Sequence, residues 1–269
     1  MDGEKSDISI IWGVILKGMK IIVSGCNGKM GKSVVELVNK SQVHEVVAGI
    51  DKNTESDGLF PIYHSIENLG IEADVLIDFS HPSALSSILE YCKKNKIPAV
   101  ICTTGLSEDQ IVELKETSKK IPVFYSRNMS LGINLLIDLA RKATEFLGEN
   151  FDIEIIEKHH NQKIDAPSGT ALMIAEEISD SLKENPQYIY DRTQNRKSRD
   201  KNEIGIHSVR AGSICGDHEV IFAGKNEVVT ISHHAQSREV FSDGALRAAE
   251  FLINRDAGLY DMKDMILNK

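Results

Sequence analysis

The stretch Glu157-Lys158-His159-His160-Asn161-Gln162-Lys163-Ile164-Asp165-Ala166-Pro167-Ser168-Gly169-Thr170 gathers proton-handling and anion-binding groups more densely than any other part of the chain. Pro167, Ser168 and Gly169 precede an apolar-periodic run (Ala171, Leu172, Ile174, Ala175, Ile178), so a helix begins there. The first backbone N–H groups of a helix have no intrahelical acceptor, and those of Gly169 and Thr170 would point at an anion. His159, His160 and Lys163 add cationic donors and candidate proton donors. Helix-end amides beside such side chains suit a small carboxylate substrate. Ser168 also fits a plain N-cap, because Pro-Ser-Gly-Thr lacks the G-x-S-x-G elbow of a nucleophile. The paired histidines have no H-E-x-x-H context and no third ligand at helical spacing, so no metal is expected. His233-His234, late in a strand, reads as structural or solvent-facing.

A second constellation is Gly25-Cys26-Asn27-Gly28-Lys29-Met30-Gly31, a G-x-x-G-x-x-G turn between a β-branched run and a helical one. Glycines permit a tight turn and close backbone approach to a pyrophosphate, whose charge then meets the helix N-terminus. Asp51 ends the next apolar run, twenty residues after Gly31, where an acid hydrogen-bonds ribose hydroxyls. Thr103-Thr104-Gly105 follows a later apolar run. A dinucleotide site is expected.

Elements must position these groups. Short Val- and Ile-rich runs at residues 20–24, 44–50, 73–79, 98–102 and 121–125 are expected strands, with helices over 30–39, 83–95 and 107–119. Ser107-x-x-Gln110 opens the last of these with a capping-box pattern. Such alternation predicts a parallel sheet covered on both faces, with ligands at the carboxyl ends of its strands. Beyond Tyr125 the order changes: helix 133–147, strand 152–157, the polar run, helix 170–183, and a polar segment 185–202 expected as a long exposed loop. Strands 204–210, 218–223 and 227–233 follow, the last two joined at Gly224-Lys225-Asn226, and helix 238–253 closes the chain. This half is expected to be an α+β domain with an open mixed sheet, largely antiparallel.

The chain has 269 residues, 41% apolar and 26% charged, ordinary for a globular protein of one large or two modest domains. A net charge of −9 argues against a general nucleic-acid or anionic-membrane binder. The four cysteines show no C-x-x-C spacing, and a reducing cytoplasm is the expected location. The apolar stretch at residues 8–16 is about half a membrane span and has acidic residues before it, so neither a span nor a signal peptide is expected. Residues 1–18 read as an extension outside the fold; an extra strand or helix packed on the domain is the alternative.

The chain resembles the dihydrodipicolinate reductases (4-hydroxy-tetrahydrodipicolinate reductases) of lysine and diaminopimelate biosynthesis, from about Met19 to its end. The resemblance is carried by the glycine turn with Met30, by Asp78-Phe79-Ser80-His81-Pro82, Cys102-Thr103-Thr104-Gly105 and Asn128-Met129-Ser130-Leu131-Gly132. It is carried above all by His159-His160-x-x-Lys163-x-Asp165-Ala166-Pro167-Ser168-Gly169-Thr170-Ala171; Val209-Arg210-Ala211-Gly212 and Gly216-Asp217-His218 also fit. Two departures stand out: Cys102 replaces a frequent Gly, and residues 1–18 have no counterpart.

The resemblance implies a Rossmann-like parallel sheet domain at 19–129 and 240–269 that holds NADH or NADPH. It implies a second, α+β domain at 130–239 for substrate binding and oligomerisation. Gly25, Cys26, Asn27, Gly28, Lys29, Met30, Asp51, Lys52, Cys102, Thr103, Thr104, Ser126, Arg127, Asn128 and Met129 would contact the cofactor. His159 and Lys163 would be the catalytic pair, with Lys163 favoured as proton donor, and His160, Ser168, Gly169 and Thr170 would hold a cyclic dicarboxylate. A homotetramer built through the second sheet is implied as well.

Overall fold

A computed structural model describes residues 8–11, 14–56, 58–67, 69–193 and 196–267. The chain forms two compact units, Met1–Ser130 with Glu239–Lys269, and Leu131–Arg238.

In the first unit, β1 (Ile8–Ile11) and β2 (Val14–Lys17) pair antiparallel with each other and, among the described residues, with no other strand. They occupy the expected extension, of which residues 1–7, Trp12 and Gly13 lie outside the described residues. The main sheet begins with β3 (Lys20–Ser24), followed by α1 (Lys29–Ser41), β4 (Glu45–Ile50), β5 (Ile62–Tyr63) and β6 (Val75–Asp78). Then come α2 (Leu85–Asn95), β7 (Ala99–Ile101), α3 (Glu108–Ser118) and β8 (Pro122–Tyr125). The capping box expected on α3 is formed: Ser107 Oγ accepts the Gln110 amide at 3.3 Å and Gln110 Oε1 accepts the Ser107 amide at 3.0 Å.

The second unit starts with α4 (Leu131–Leu147) and β9 (Asp152–His159), then α5 (Gly169–Ser179), β10 (Gln187–Ile189), β11 (Glu203–Arg210), β12 (Gly216–Ala223) and β13 (Val228–Ala235). Its sheet order is β10-β11-β9-β12-β13. Ile153 and Ile155 of β9, Ile204 and Ile206 of β11, and Val220 and Phe222 of β12 form one buried face under α4 and α5. Residues between them, such as Glu154, Ile156, Glu219 and Ile221, line a half-exposed opposite face. The sheet is mixed, yet the expected antiparallel bias is corrected: β10–β11 and β11–β9 are parallel, and only β9–β12 and β12–β13 are antiparallel. The segment carrying α5 gives the long crossover that a parallel β9–β11 pair needs.

Two further expectations are corrected here. Residues 185–202 are not all loop, because Gln187, Tyr188 and Ile189 add an edge strand to β11. Arg192 and Arg199 then tie the segment down, with bonds to Glu154 and Glu203 and to Asp152 and Glu154 respectively. These anchors sit at the starts of β9 and β11, and even Glu154 is roughly 17 Å along the strand from His159, by five residues at about 3.3 Å each. Helix α5 stops at Ser179 rather than 183; Leu182 extended the apolar period but packs on the core from a following turn.

The chain returns to the first unit through α6 (Glu239–Leu252), β14 (Gly258–Tyr260) and α7 (Met262–Ile266). The seven strands run in the order β14-β8-β7-β6-β3-β4-β5, all parallel, so the order reverses between β3 and β6. That reversal opens a crevice at the carboxyl ends, the place where such sheets bind ligands.

Candidate active site

In the first unit the glycine turn lies at the reversal point. Gly25 has φ +75°, and a Cβ there would fall 2.6 Å from the Phe79 carbonyl oxygen. A Cβ on Gly31 would meet the Gly25 oxygen at 2.0 Å, so α1 is seated directly on the turn. Gly28 caps α1 without a side chain, and the first turn holds no acid. Lys29 and Lys32 flank this positive helix end, so the turn and helix fit a pyrophosphate. Cys26 is buried beneath Gly49; burial, and then the Asp51 charge, push its thiol up to about 11, so it remains a neutral thiol.

Asp51 follows β4 and braces this turn. Its Oδ2 accepts the Asn27 amide and its Oδ1 the Asn53 amide, each at 3.0 Å. A carboxylate has about four acceptor sites, so two remain for ribose hydroxyls. Lys52 beside it is exposed.

Asp78, which ends β6 between Ser24 and Ile101, organises this edge; its motif carries the resemblance, but it was not among the expected site residues. It is fully buried, and burial pushes its carboxyl above the usual range. Its oxygens accept the Ser80 amide at 3.1 Å and the Thr103 hydroxyl at 2.6 Å, which holds the loops after β6 and β7 together. An acid closing the apolar run Val75-Leu76-Ile77 was the available signal. Cys102 and Thr103 are buried and Thr104 is exposed. After β8, Ser126 Oγ donates to the Asn128 carbonyl at 2.8 Å, and Asn128 Oδ1 accepts the Ser130 amide at 2.9 Å. Asn128 and Met129 are buried, Arg127 is exposed, and Gly244 of α6 lies against the Met129 carbonyl. The fifteen residues expected to contact a cofactor thus lie after β3, β4, β7 and β8, along one edge of the sheet.

In the second unit the polar run wraps around the ends of β9 and β11. Glu157 and His159 are two apart on β9 and share a face. Glu157 is 0% exposed, and its Oε2 lies 2.5 Å from His159 Nδ1. Arg210, at the end of β11, grips both Glu157 oxygens at 2.8 and 2.7 Å, and the Ser168 amide donates to Oε1 at 3.1 Å. Burial pushes this carboxyl up, but hydrogen bonds from Arg210, His159 and Ser208 outweigh it and hold it at about 2. His218 of β12 stands 5.3 Å from His159, edge to face, and its Nε2 lies 3.1 Å from Ser168 Oγ. Burial, then the neighbouring His159, push His218 down to about 3, so it stays neutral.

Ser168 is the N-cap of α5: its hydroxyl accepts the Ala171 amide at 3.1 Å. Ser168 itself is buried, whereas Gly169 is exposed and Thr170 half-buried at the helix start. Lys163 Nζ pairs with Asp165 Oδ1 at 2.9 Å, and Arg210 donates to the Asp165 carbonyl at 2.6 Å. His160 is half-buried and its carbonyl accepts the Lys163 amide. His159, Lys163, Gly169 and Thr170 are therefore brought to one end of the sheet, with Ser168 holding the helix from beneath. His233 packs its ring on Gly132, and His234 pairs with Asp217 at 3.1 Å. Glu157, Arg210 and His218 were not among the expected site residues. Among the described residues no cluster of three His, Cys, Asp or Glu side chains is arranged to hold a metal, and no helix is long and apolar enough to cross a membrane.

A parallel sheet with a glycine turn at its reversal point, together with a mixed-sheet unit in which a buried carboxylate holds an imidazole and the start of a helix, defines a two-unit oxidoreductase of the Rossmann class. Residues 19–129 match the family described as "Dihydrodipicolinate reductase, N-terminus" and residues 132–266 the one described as "Dihydrodipicolinate reductase, C-terminus". The chain is 55% identical over 248 residues to the 4-hydroxy-tetrahydrodipicolinate reductase of Caldanaerobacter subterraneus subsp. tengcongensis, covering 92% of this chain and 98% of that one. It is 51% identical over 251 residues to the enzyme of that name from Clostridium novyi, covering 93% and 99%. A dipicolinate-bound dihydrodipicolinate reductase from Paenisporosarcina sp. TG-14 superposes with a TM-score of 0.77 at 26% identity, covering 90% of this chain and 97% of that one. The chain belongs to the dihydrodipicolinate reductase family, oxidoreductases of lysine and diaminopimelate biosynthesis.

Proposed function

We propose that this chain reduces 4-hydroxy-tetrahydrodipicolinate to tetrahydrodipicolinate, taking its hydride from NADH or NADPH. The observation that carries the reading is the imidazole of His159, held by an ionised buried carboxylate beside a helix start whose first residues are Gly169 and Thr170. The start of α1, uncapped by any side chain and closed tightly on the turn because Gly25 and Gly31 let backbone meet backbone, fits a dinucleotide, which would supply the hydride when bound. Gly25 to Met30 would take its pyrophosphate, Asp51 and Lys52 the adenosine ribose, and residues 102–104 and 126–129 the nicotinamide half.

The substrate's carboxylates would meet His160 and the Gly169 and Thr170 amides, which fix the ring and so make its reaction effectively unimolecular. Loss of the substrate's 4-hydroxyl as water leaves a conjugated C=C–C=N system, and as hydride adds to the carbon end of that system negative charge grows on the ring nitrogen. Lys163 Nζ or His159 Nε2 gives up the proton that neutralises it, a contribution typically worth about 10²–10⁴ in rate. Ser168 serves as cap and brace, since its hydroxyl and amide are engaged inside the fold. The half-exposed face of the second sheet would join four copies into a tetramer, and a reducing cytoplasm fits the four free cysteines.

The test mixes the protein with freshly made product of the preceding synthase and either reduced cofactor. Loss of reduced-cofactor absorbance that depends on the synthase product is the expected result. No loss with either cofactor would overturn the proposal.

A further inference from the structure

Burying a charge is expensive, and replacing a buried ion pair by packed apolar groups is often neutral or stabilising. Glu157 is nevertheless inaccessible to solvent in the middle of a sheet, and its paired Arg210 is mostly covered. Stability alone gives no reason for this arrangement. The partners of the carboxylate supply one.

Each Glu157 oxygen holds a different part of the site. Oε2 faces the His159 imidazole at 2.5 Å, and Oε1 holds the Ser168 amide that precedes the anion-binding helix start at 3.1 Å. Arg210 bridges both oxygens and reaches on to the carbonyl of Asp165, whose side chain pairs with Lys163. One carboxylate is thus connected to both candidate proton donors and to the substrate amides.

Its ionised state also decides the imidazole's chemistry. An ionised carboxylate only accepts hydrogen bonds, so His159 Nδ1 must carry its hydrogen, and Nε2 is the atom left to work. Nε2 faces Gly216, where a Cβ would stand 3.1 Å away; the missing side chain keeps that nitrogen uncrowded. An amide at position 157 could place an N–H against the imidazole's own N–H. It would also lack the negative charge that stabilises an imidazolium about to give up its proton.

We infer that Glu157, clamped by Arg210, is the positioning residue of this site: it fixes the tautomer and orientation of His159 and sets its distance from the start of α5 and the Lys163 loop. This inference rests on the reading of His159 as a proton donor. Glu157 touches no substrate and acts through the groups it holds.

The test compares wild type, Glu157→Gln, His159→Gln and Arg210→Lys as full-length chains. Glu157→Gln lowers kcat by about 10²–10⁴-fold, the range that general acid catalysis contributes, while KM for NADH changes by less than about twofold. By NMR, a downfield imidazole Nδ1 proton is present in wild type and lost in both Glu157→Gln and His159→Gln. A purely structural role would lower the folded fraction and leave kcat per folded chain and this resonance in place. Arg210→Lys keeps the charge, loses the two-pronged grip and gives an intermediate kcat; it carries the test if Glu157→Gln does not fold. Impaired His159→Gln beside unimpaired Glu157→Gln overturns the positioning role alone. An unimpaired His159→Gln overturns the reading of His159 as the acid, and the positioning role with it.

Discussion

Lys163 and His159 are the two proposed sources of the final proton, and their surroundings separate their variants. Lys163 sits on a loop with Asp165 as its partner, whereas His159 is fixed from behind by a buried carboxylate. Lys163→Ala is expected to lower kcat/KM by roughly 10²–10⁴-fold while NADH affinity is kept, because the expected cofactor contacts all lie in the other unit. Steady-state kinetics together with cofactor titration check this; a loss confined to NADH affinity would contradict it. Cofactor choice is a second matter at this scale. Asp51 would repel a 2′-phosphate by roughly 1 kcal/mol in water and about 4 at an intermediate dielectric at 4 Å. Lys52 and Lys29, in the segments that follow β4 and β3, would offset that repulsion, so both cofactors are expected to work, with NADH equal or preferred. Lys52→Ala should raise KM for NADPH more than for NADH. Asp51→Ala should move preference toward NADPH and weaken both cofactors, since the Asn27 and Asn53 amides lose their acceptor. A strong NADPH preference untouched by Lys52→Ala and Lys29→Ala would place the adenosine ribose elsewhere. His159 and Lys163 were legible because they sit in one dense run. Glu157 and Arg210 were not legible as a pair, since 53 positions separate them and a buried ion pair looks, in sequence, like two surface charges.

Among elements, β12 carries a pH-dependent load through His218. Its imidazole titrates at about 3 in the fold against an ordinary value of 6.5. Between those values the unfolded chain binds a proton that the folded chain refuses, so stability falls as pH drops below 6.5. From pH 7 to pH 5 this group alone costs about 2 kcal/mol. Glu157 acts in a lower window: with its carboxyl at about 2 against 4.5, its contribution is complete above 4.5 and is lost toward 2. Urea unfolding of wild type and His218→Asn at the two pH values separates them. The pH 7-to-5 difference should shrink by about 2 kcal/mol in the variant, and an unchanged difference would contradict a neutral buried His218. The longer strands and helices were legible from period and caps, Ser107 with Gln110 being the clearest case. The strands missed in the two larger sheets share one property: β5 has two residues, β10 and β14 three each, too short to display any period. The edge position of all three, set by partners far away in sequence, is a tertiary fact.

At the scale of the whole molecule, the two units answer to separate stretches of sequence, and the β1–β2 hairpin stands outside the residues that match the family. Removing residues 1–18 should leave kcat within about twofold, because β3 has its sheet partners β4 and β6 without them. An insoluble or inactive truncation would make the hairpin part of the fold. The half-exposed face of the second sheet should assemble four copies, read as about four chain masses by light scattering. Ile221→Glu, placed on that face, should give smaller species, and a single-chain mass for wild type would contradict the assembly. Hydride delivery to the ring of a cyclic dicarboxylate is tested most directly by isotope transfer. With cofactor fully deuterated at the nicotinamide C4 and freshly made synthase product, mass spectrometry should find tetrahydrodipicolinate carrying one deuterium on carbon for each cofactor oxidised. Product without deuterium, or cofactor oxidised with no labelled product, would contradict the account.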